Sequence, residues 1–297
     1  MKVSFWVPAR NKADKVHITV ESVLKQNYYP MEIILSDQGS EDGTYEVMER
    51  LASAYKGPNE IRLLKCPVTE YKGMAGFNKH MEWLHTQTDA ELIIVTSADD
   101  WNHEDRARRV VETYLEFKPS LIGTAINFVK PDGSYYGTSA FPGETRFITG
   151  KEHMEQKVGG SSSMAWSREF YDTVGAIPHS AIVDVYYPFL ASQLKGFYFI
   201  YEPLYAYIKY ADPNNTGLEG IHAAADDIGK IQIQEIMGYQ IATTLYAIGT
   251  KMDELNNPFN YEDHQALLQN ILITAHSWAI NRNQLTMERI NPIPLRA

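Results

Sequence analysis

Short apolar runs recur along the first part of the chain, at Val3 to Val7, Ile33 to Ser36, Ile61 to Lys65, Leu92 to Thr96 and Leu121 to Phe128. Between them lie stretches whose apolar positions repeat with the period of a helix. Val16, Val20, Val23 and Leu24 share one face of a helix that Asp14 is placed to cap and that must stop before Pro30. Tyr45, Met48, Leu51, Ala52 and Tyr55 repeat the pattern after the second run. Strands alternating with helices predict an α/β domain with a largely parallel sheet covered on both faces.

Past residue 128 the alternation weakens. Residues 129 to 205 are rich in glycine, serine and aromatics; Asp132-Gly133 reads as a hairpin turn and Gly159-Gly160-Ser161-Ser162-Ser163 as a loop. From Glu219 onward the pattern predicts two long helices, Glu219 to Gly249 and Tyr261 to Asn281, parted by Asn256-Asn257-Pro258. Ile228, Ile231, Ile233, Ile236, Met237, Ile241, Leu245 and Ile248 on the first, and Leu267, Leu268, Ile271, Leu272, Ala275 and Trp278 on the second, suit either a two-helix cap or a homodimer face that also completes an acceptor platform.

The 297 residues are ample for a sizeable core. A formal net charge of -10 disfavours nonspecific binding to nucleic acid or anionic lipid. Arg106, Arg108 and Arg109 form a local basic cluster, read as the solvated face of a helix. The single cysteine, Cys66, excludes an intramolecular disulfide and fits a small core residue in a reducing compartment. The Met1 to Pro8 segment lacks the charge and length of a signal peptide, and no window reaches membrane-spanning length, so a cytoplasmic protein is expected.

Candidate chemistry gathers where the apolar runs end, because open parallel sheets bind ligands at the carboxyl ends of their strands. Pro8-Ala9-Arg10-Asn11 follows the first run, Asp37-Gln38-Gly39-Ser40 the second, and Ser97-Ala98-Asp99-Asp100 the fourth. Asp37, followed by small residues, suits recognition of a base or ribose; the competing reading is a turn and nothing more. Asp99 and Asp100 suit a hard divalent cation shared with phosphates, Mn2+ or Mg2+, although Asp100 could instead cap the next helix. Taken together with the loop from Lys72 to Asn78, these strand ends describe a site for a nucleoside diphosphate. His80 and His85 lack zinc-site spacing and are assigned to surface or core.

These same stretches resemble family 2 glycosyltransferases of the GT-A fold. Val7-Pro8-Ala9-Arg10-Asn11 resembles the family's first-strand signature, Ser22 to Gln26 with Tyr29-Pro30 its first helix and turn, and Asp37-Gln38-Gly39-Ser40-Glu41-Asp42-Gly43-Thr44 its nucleotide-binding stretch. Ser97-Ala98-Asp99-Asp100 resembles the metal motif with Ser97 in place of its first aspartate, which leaves Asp99 as the expected ligand; His222 is a third candidate by loose analogy. Gly159 to Gly175 resembles the region before the catalytic helix. Val183-Asp184 stands where the family has Glu-Asp, so the resemblance makes Asp184 the general base. Pro203 to Tyr207 resembles the closing segment, with Lys209 where the family often has Arg.

The resemblance implies a GT-A catalytic domain over residues 1–210 and a helical extension over 211–297, with a nucleotide-sugar donor, a divalent cation and an unidentified hydroxyl acceptor. It implies nucleotide contacts from Pro8, Ala9, Arg10, Asn11, Asp37, Gly39, Ser40, Asn78, Ser97 and Ala98. Asp100, Trp101, Gly160, Ser161 and Trp166 would form the sugar and acceptor pocket. Two other classes fit less of the sequence. A nucleotidyltransferase would bring a glycine-rich basic loop, whereas Ala9-Arg10-Asn11-Lys12-Ala13 has no glycine; a noncatalytic nucleotide- or sugar-binding protein of the same fold is the other.

Overall fold

In the computed structural model the described residues are 1–210 apart from 72, 140 and 157, together with 227–257, 260–271 and 273; for 227–237 only the backbone is described. Strands β1 (Val3–Ala9), β2 (Glu32–Asp37), β3 (Glu60–Lys65) and β4 (Leu92–Val95) alternate with helices α1 (Val16–Leu24), α2 (Thr44–Ala54) and α3 (Gly73–His85). After them come β5 (Trp101–Asn102), α4 (Arg106–Phe117), β6 (Leu121–Val129), β7 (Tyr135–Thr138), β8 (Arg146–Ile148) and α5 (Gly150–Gln156). A 3-10 turn (Ser161–Ser163) then leads to β9 (Met164–Ser167), α6 (Arg168–Val174), α7 (Val183–Ser192) and β10 (Phe197–Ile208). Beyond these lie α8 (Asp227–Glu254) and α9 over 261–271.

The strands form one sheet in the order β3-β2-β1-β4-β9-β6-β10-β5, with β7 beside β6 and β8 beside β10. Alternating side chains feed two cores. Phe5, Val7, Ile33 and Leu35 pack with α1, α2 and α4, while Trp6, Ile34 and Ile93 pack with α3, α6 and α7. The first four strands are parallel, as the alternation predicts. The sheet departs from the largely parallel expectation at β9, which follows the Gly159 to Ser163 stretch read as a loop and lies antiparallel between β4 and β6. Four residues are too few to declare a period.

Three local expectations change. Lys15, not Asp14, holds the cap position of α1, and no side chain bonds the helix end. Arg106 is fully buried rather than solvated: its guanidinium donates to Asn102 Oδ1 at 2.5 Å and to the Val95 carbonyl at 2.9 Å, and burial pulls its pKa down to about 10. Arg108 and Arg109 do stay at the surface, paired with Asp105, Glu112 and Glu202. The Asp132-Gly133 hairpin forms as expected between β6 and β7, with Asp132 Oδ1 accepting from the Ser134 N–H at 2.8 Å.

In the tail, Leu245, Ile248, Met252, Ala266 and Leu267 are buried in the core that also contains α5 and α7. Leu245, Ile248 and Leu267 of the two predicted stripes are thus covered within the chain, while Leu268 and Ile271 are exposed. The Ile182 N–H, at the start of α7, donates to Thr244 Oγ1 of α8 at 2.9 Å. His222, Leu272, Ala275, Trp278 and the side chains of Ile228, Ile231, Ile233, Ile236 and Met237 lie outside the described residues. Among the described residues, no helix is long and apolar enough to cross a membrane.

Candidate active site

The strand order reverses between β1 and β4: β2 and β3 follow on one side of β1, and β4 lies on the other. A crevice at the carboxyl ends of the strands belongs at such a reversal. Three chain segments meet there, past β1, β2 and β4.

The segment past β2 is tied to the one past β1 by a ladder of hydrogen bonds. The Asn11 N–H donates to Ser40 Oγ at 2.8 Å, and the Glu41 N–H donates back to Asn11 Oδ1 at 3.0 Å. The Lys12 N–H donates to Thr44 Oγ1 at 2.7 Å and the Ala13 N–H to Asp42 Oδ2 at 3.0 Å. Pro8 and Ala9 end β1 in register with Ser36 and Asp37. Arg10 reaches the other way, donating to the carbonyls of Tyr71 at 2.5 Å and Thr69 at 3.1 Å. Gly39 has φ +68, and a Cβ there would stand 2.7 Å from the Thr69 methyl, so the small residue is required twice over.

Asp37 is buried at the end of β2. Its Oδ2 accepts from the Ser40 N–H at 3.0 Å, while Oδ1 has no hydrogen-bond partner. A buried carboxylate oxygen without a partner is costly, and it sets this strand end apart.

Past β4 the expected metal motif divides into three parts. The Ser97 hydroxyl bonds the Ser162 hydroxyl at 2.5 Å, and Ala98 is buried. Asp99 Oδ2 sits 2.5 Å from the Lys12 ammonium. Asp100 points into the core, bonded by the Tyr205 hydroxyl and by the Ile208 N–H at 2.8 Å; burial and the Asp99 charge push its carboxyl up to about 7. Asp100 is therefore a structural residue and not part of an open sugar pocket.

Among the described residues this motif offers a divalent cation one carboxylate outside the core, that of Asp99. The only carboxylate of the motif outside the core already holds an ammonium, and a charge-assisted bond of this kind contributes about 1.5–3 kcal/mol that a metal would have to displace. Among the described residues, no three His, Cys, Asp or Glu side chains converge as metal ligands.

Asp184 lies in the first turn of α7, half-buried, and accepts from the Ser161 N–H at 2.6 Å. Desolvation raises its pKa above the usual carboxylate value, partly offset by that bond. Asn78, from α3, donates to the carbonyls of Pro178 at 3.0 Å and Ala181 at 2.9 Å. It lies buried under the loop that leads to α7. Gly160, Ser161 and Ser162 connect Asp184 to Ser97, and so join the base candidate to the β4 end.

The aromatic expectations diverge. Trp101 is 41% exposed on β5 and lines a shallow depression of about 260 Å³ with Ser22, Lys25 and His103. Trp166 is a core residue, its indole N–H donating to His85 Nε2 at 3.1 Å, and cannot face an acceptor. Sequence reading passed over Lys12 and Thr244. Lys12 stands right after a strand end, but its partner is 87 residues away and one sequence does not pair them.

The profile described as glycosyl transferase family 2 matches residues 4–175. Glycosyltransferase GlyG of Streptococcus pneumoniae is 30% identical over 135 residues, 45% of this chain and 42% of that protein. Glycosyltransferase AglE of Haloferax volcanii is 23% identical over 184 residues, 61% of this chain and 57% of that one. The chain thus spans about half the length of the curated relatives it matches. S. aureus TarS 1-349, solved with UDP-GlcNAc, superposes with a TM-score of 0.58 at 15% identity, covering 94% of this chain and 92% of that one. Mannosyltransferase PcManGT from Pyrobaculum calidifontis, solved with GDP-Man and Mn2+, gives 0.52 at 15% identity, covering 97% and 84%. Those likenesses establish the GT-A fold, and with a family profile that runs from the first strand through α6, the chain belongs to glycosyl transferase family 2.

Proposed function

We propose that residues 1–210 catalyse transfer of a sugar from a nucleoside diphosphate donor to an acceptor hydroxyl, with inversion at the anomeric carbon. The observation that carries this reading is Asp37 Oδ1, a buried carboxylate oxygen without a partner at the end of β2, beside the reversal of strand order. It suits a base N–H, with UDP as the first expectation. Pro8, Ala9, Arg10, Asn11, Gly39 and Ser40 shape the same wall. Both named structural neighbours were solved with nucleotide sugars, UDP-GlcNAc in one and GDP-Man in the other, which supports the donor class.

In the proposed reaction the acceptor oxygen bonds to the anomeric carbon as the bond from that carbon to the diphosphate oxygen breaks. The bonding pair leaves with the diphosphate. The acceptor proton passes to the Asp184 carboxylate, which desolvation makes a stronger base than an ordinary carboxylate. The Ser161 N–H fixes the carboxylate's position, and exposed Trp101 offers an aromatic face to a sugar. The helical extension acts through Thr244, which holds the start of α7.

The test is a panel of UDP- and GDP-sugars, first for thermal stabilisation and then for hydrolysis. Stabilisation by one nucleotide class, with release of free sugar and nucleoside diphosphate, is expected. Release of pyrophosphate or of a nucleotidyl product would instead mark a nucleotidyltransferase, and binding without turnover a noncatalytic protein.

A further inference from the structure

We propose that the Lys12 ammonium, held by Asp99, is the built-in counter-cation for the donor diphosphate, so that this chain binds nucleoside diphosphates without a divalent metal. The inference rests on the reading of the crevice as a nucleoside diphosphate site, and deepens it.

Four observations support it. The ammonium and carboxylate are 2.5 Å apart, and each side chain is only about 15% exposed, so the pair is sheltered from the screening that weakens surface ion pairs. The root of the lysine is fixed, since its N–H bonds Thr44 and its neighbours Asn11 and Ala13 bond Ser40 and Asp42. The place is the reversal of strand order between β1 and β4, where the diphosphate of a nucleotide bound at Asp37 would lie. Ser97 stands where the family motif has its first aspartate, and its hydroxyl is already bonded to Ser162.

Asp99 therefore has a different task from the one the resemblance assigns. It orients the ammonium instead of a metal. A lysine head carries three donors, so one can remain on Asp99 while the others meet phosphate oxygens. The Tyr210 hydroxyl near this pair is buried and has no hydrogen-bond partner among the described residues; burial and then the Asp99 and Asp100 charges push its pKa up to about 12. A fixed positive group at the place where charge develops on the leaving diphosphate stabilises the transition state with little reorganisation.

The test is calorimetric titration with UDP and GDP, in buffer containing EDTA and again with Mn2+, on the wild type, Lys12→Ala and Lys12→Arg. For the wild type we expect the nucleotide affinity to change less than about twofold between the two buffers. Lys12→Ala should lose at least about tenfold in EDTA and recover part of it with Mn2+, which can then occupy the freed Asp99; Lys12→Arg should stay within a few-fold of wild type. Mn2+ alone, followed by electron paramagnetic resonance, should show no saturable binding to the wild type. A wild-type affinity that falls tenfold in EDTA, or Lys12→Ala binding equal to wild type in EDTA, overturns the inference and leaves the nucleotide site intact. Failure of UDP and GDP to bind the wild type in either buffer overturns the site itself, and the inference with it.

Discussion

The Ser161 N–H donates to Asp184 Oδ1 at 2.6 Å, which fastens the candidate base to the turn that also carries Ser162 and, through it, Ser97. An amide in place of the carboxylate would keep a carbonyl oxygen for that N–H while losing the capacity to take a proton. Asp184→Asn is therefore expected to bind UDP as the wild type does and to lose about 10²–10⁴ in turnover. Turnover rates and calorimetry on the same preparation check both halves. Because desolvation raises the Asp184 pKa, the wild-type rate should fall with acidification at a higher pH than an ordinary carboxylate would give.

Asp37 concerns affinity instead. Replacing it by alanine removes both the unpartnered oxygen and the bond to the Ser40 N–H. A loss of about 1.5–3 kcal/mol in nucleotide binding is expected, the range for a bond to a charged group. Titration with free UDP and with free uridine should show the same loss for both, since the contact is to the nucleoside.

Thr244 tests the link between the extension and the catalytic helix. Its hydroxyl accepts from the Ile182 N–H and donates to the Gln240 carbonyl at 2.6 Å, and Thr244→Val keeps the shape while leaving the N–H without an acceptor. Urea unfolding should show about 1–3 kcal/mol of destabilisation. If α8 positions Asp184 as proposed, turnover should fall further than the stability loss explains, at unchanged UDP affinity.

The strand ends were legible because an apolar run followed by carboxylates, glycines and hydroxyls is a local signal, and Asp37 and Asp99 both carry it. The depth of a side chain is not local. Asp99 and Asp100 are adjacent and chemically identical, yet one meets Lys12 and the other turns into the core, a choice made by β10 more than a hundred residues later. Trp166 was misread for the same reason: a tryptophan after a serine-rich loop suggests an exposed platform, and only the insertion of β9 between β4 and β6 buries it. Arg106 likewise shares its sequence signal with Arg108 and Arg109, and only the last two reach solvent.

The buried histidines give a final expectation, about stability. His80, bonded to Ser36 Oγ at 2.7 Å, is pulled down to about 3 by burial and then by the Arg10 charge; His85 is pulled down to about 2 by burial and then by Arg168. A histidine whose folded pKa is depressed contributes stability that is fully present above its unfolded value near 6.5, and that is lost as pH falls below it, because the unfolded chain takes up the proton first. Between pH 7 and pH 5, His80 should thus cost the fold about 2 kcal/mol on acidification. Asp100 works the other way, since a carboxyl raised to about 7 binds its proton more tightly in the folded state. The wild-type curve alone therefore mixes opposing terms, and the informative quantity is a difference. His80→Gln retains a polar partner for Ser36 and removes the titration. Measured by urea unfolding at both pH values, the variant should lose about 2 kcal/mol less than the wild type on going from pH 7 to pH 5. Equal losses in the two proteins would mean that His80 is protonated in the fold at pH 5.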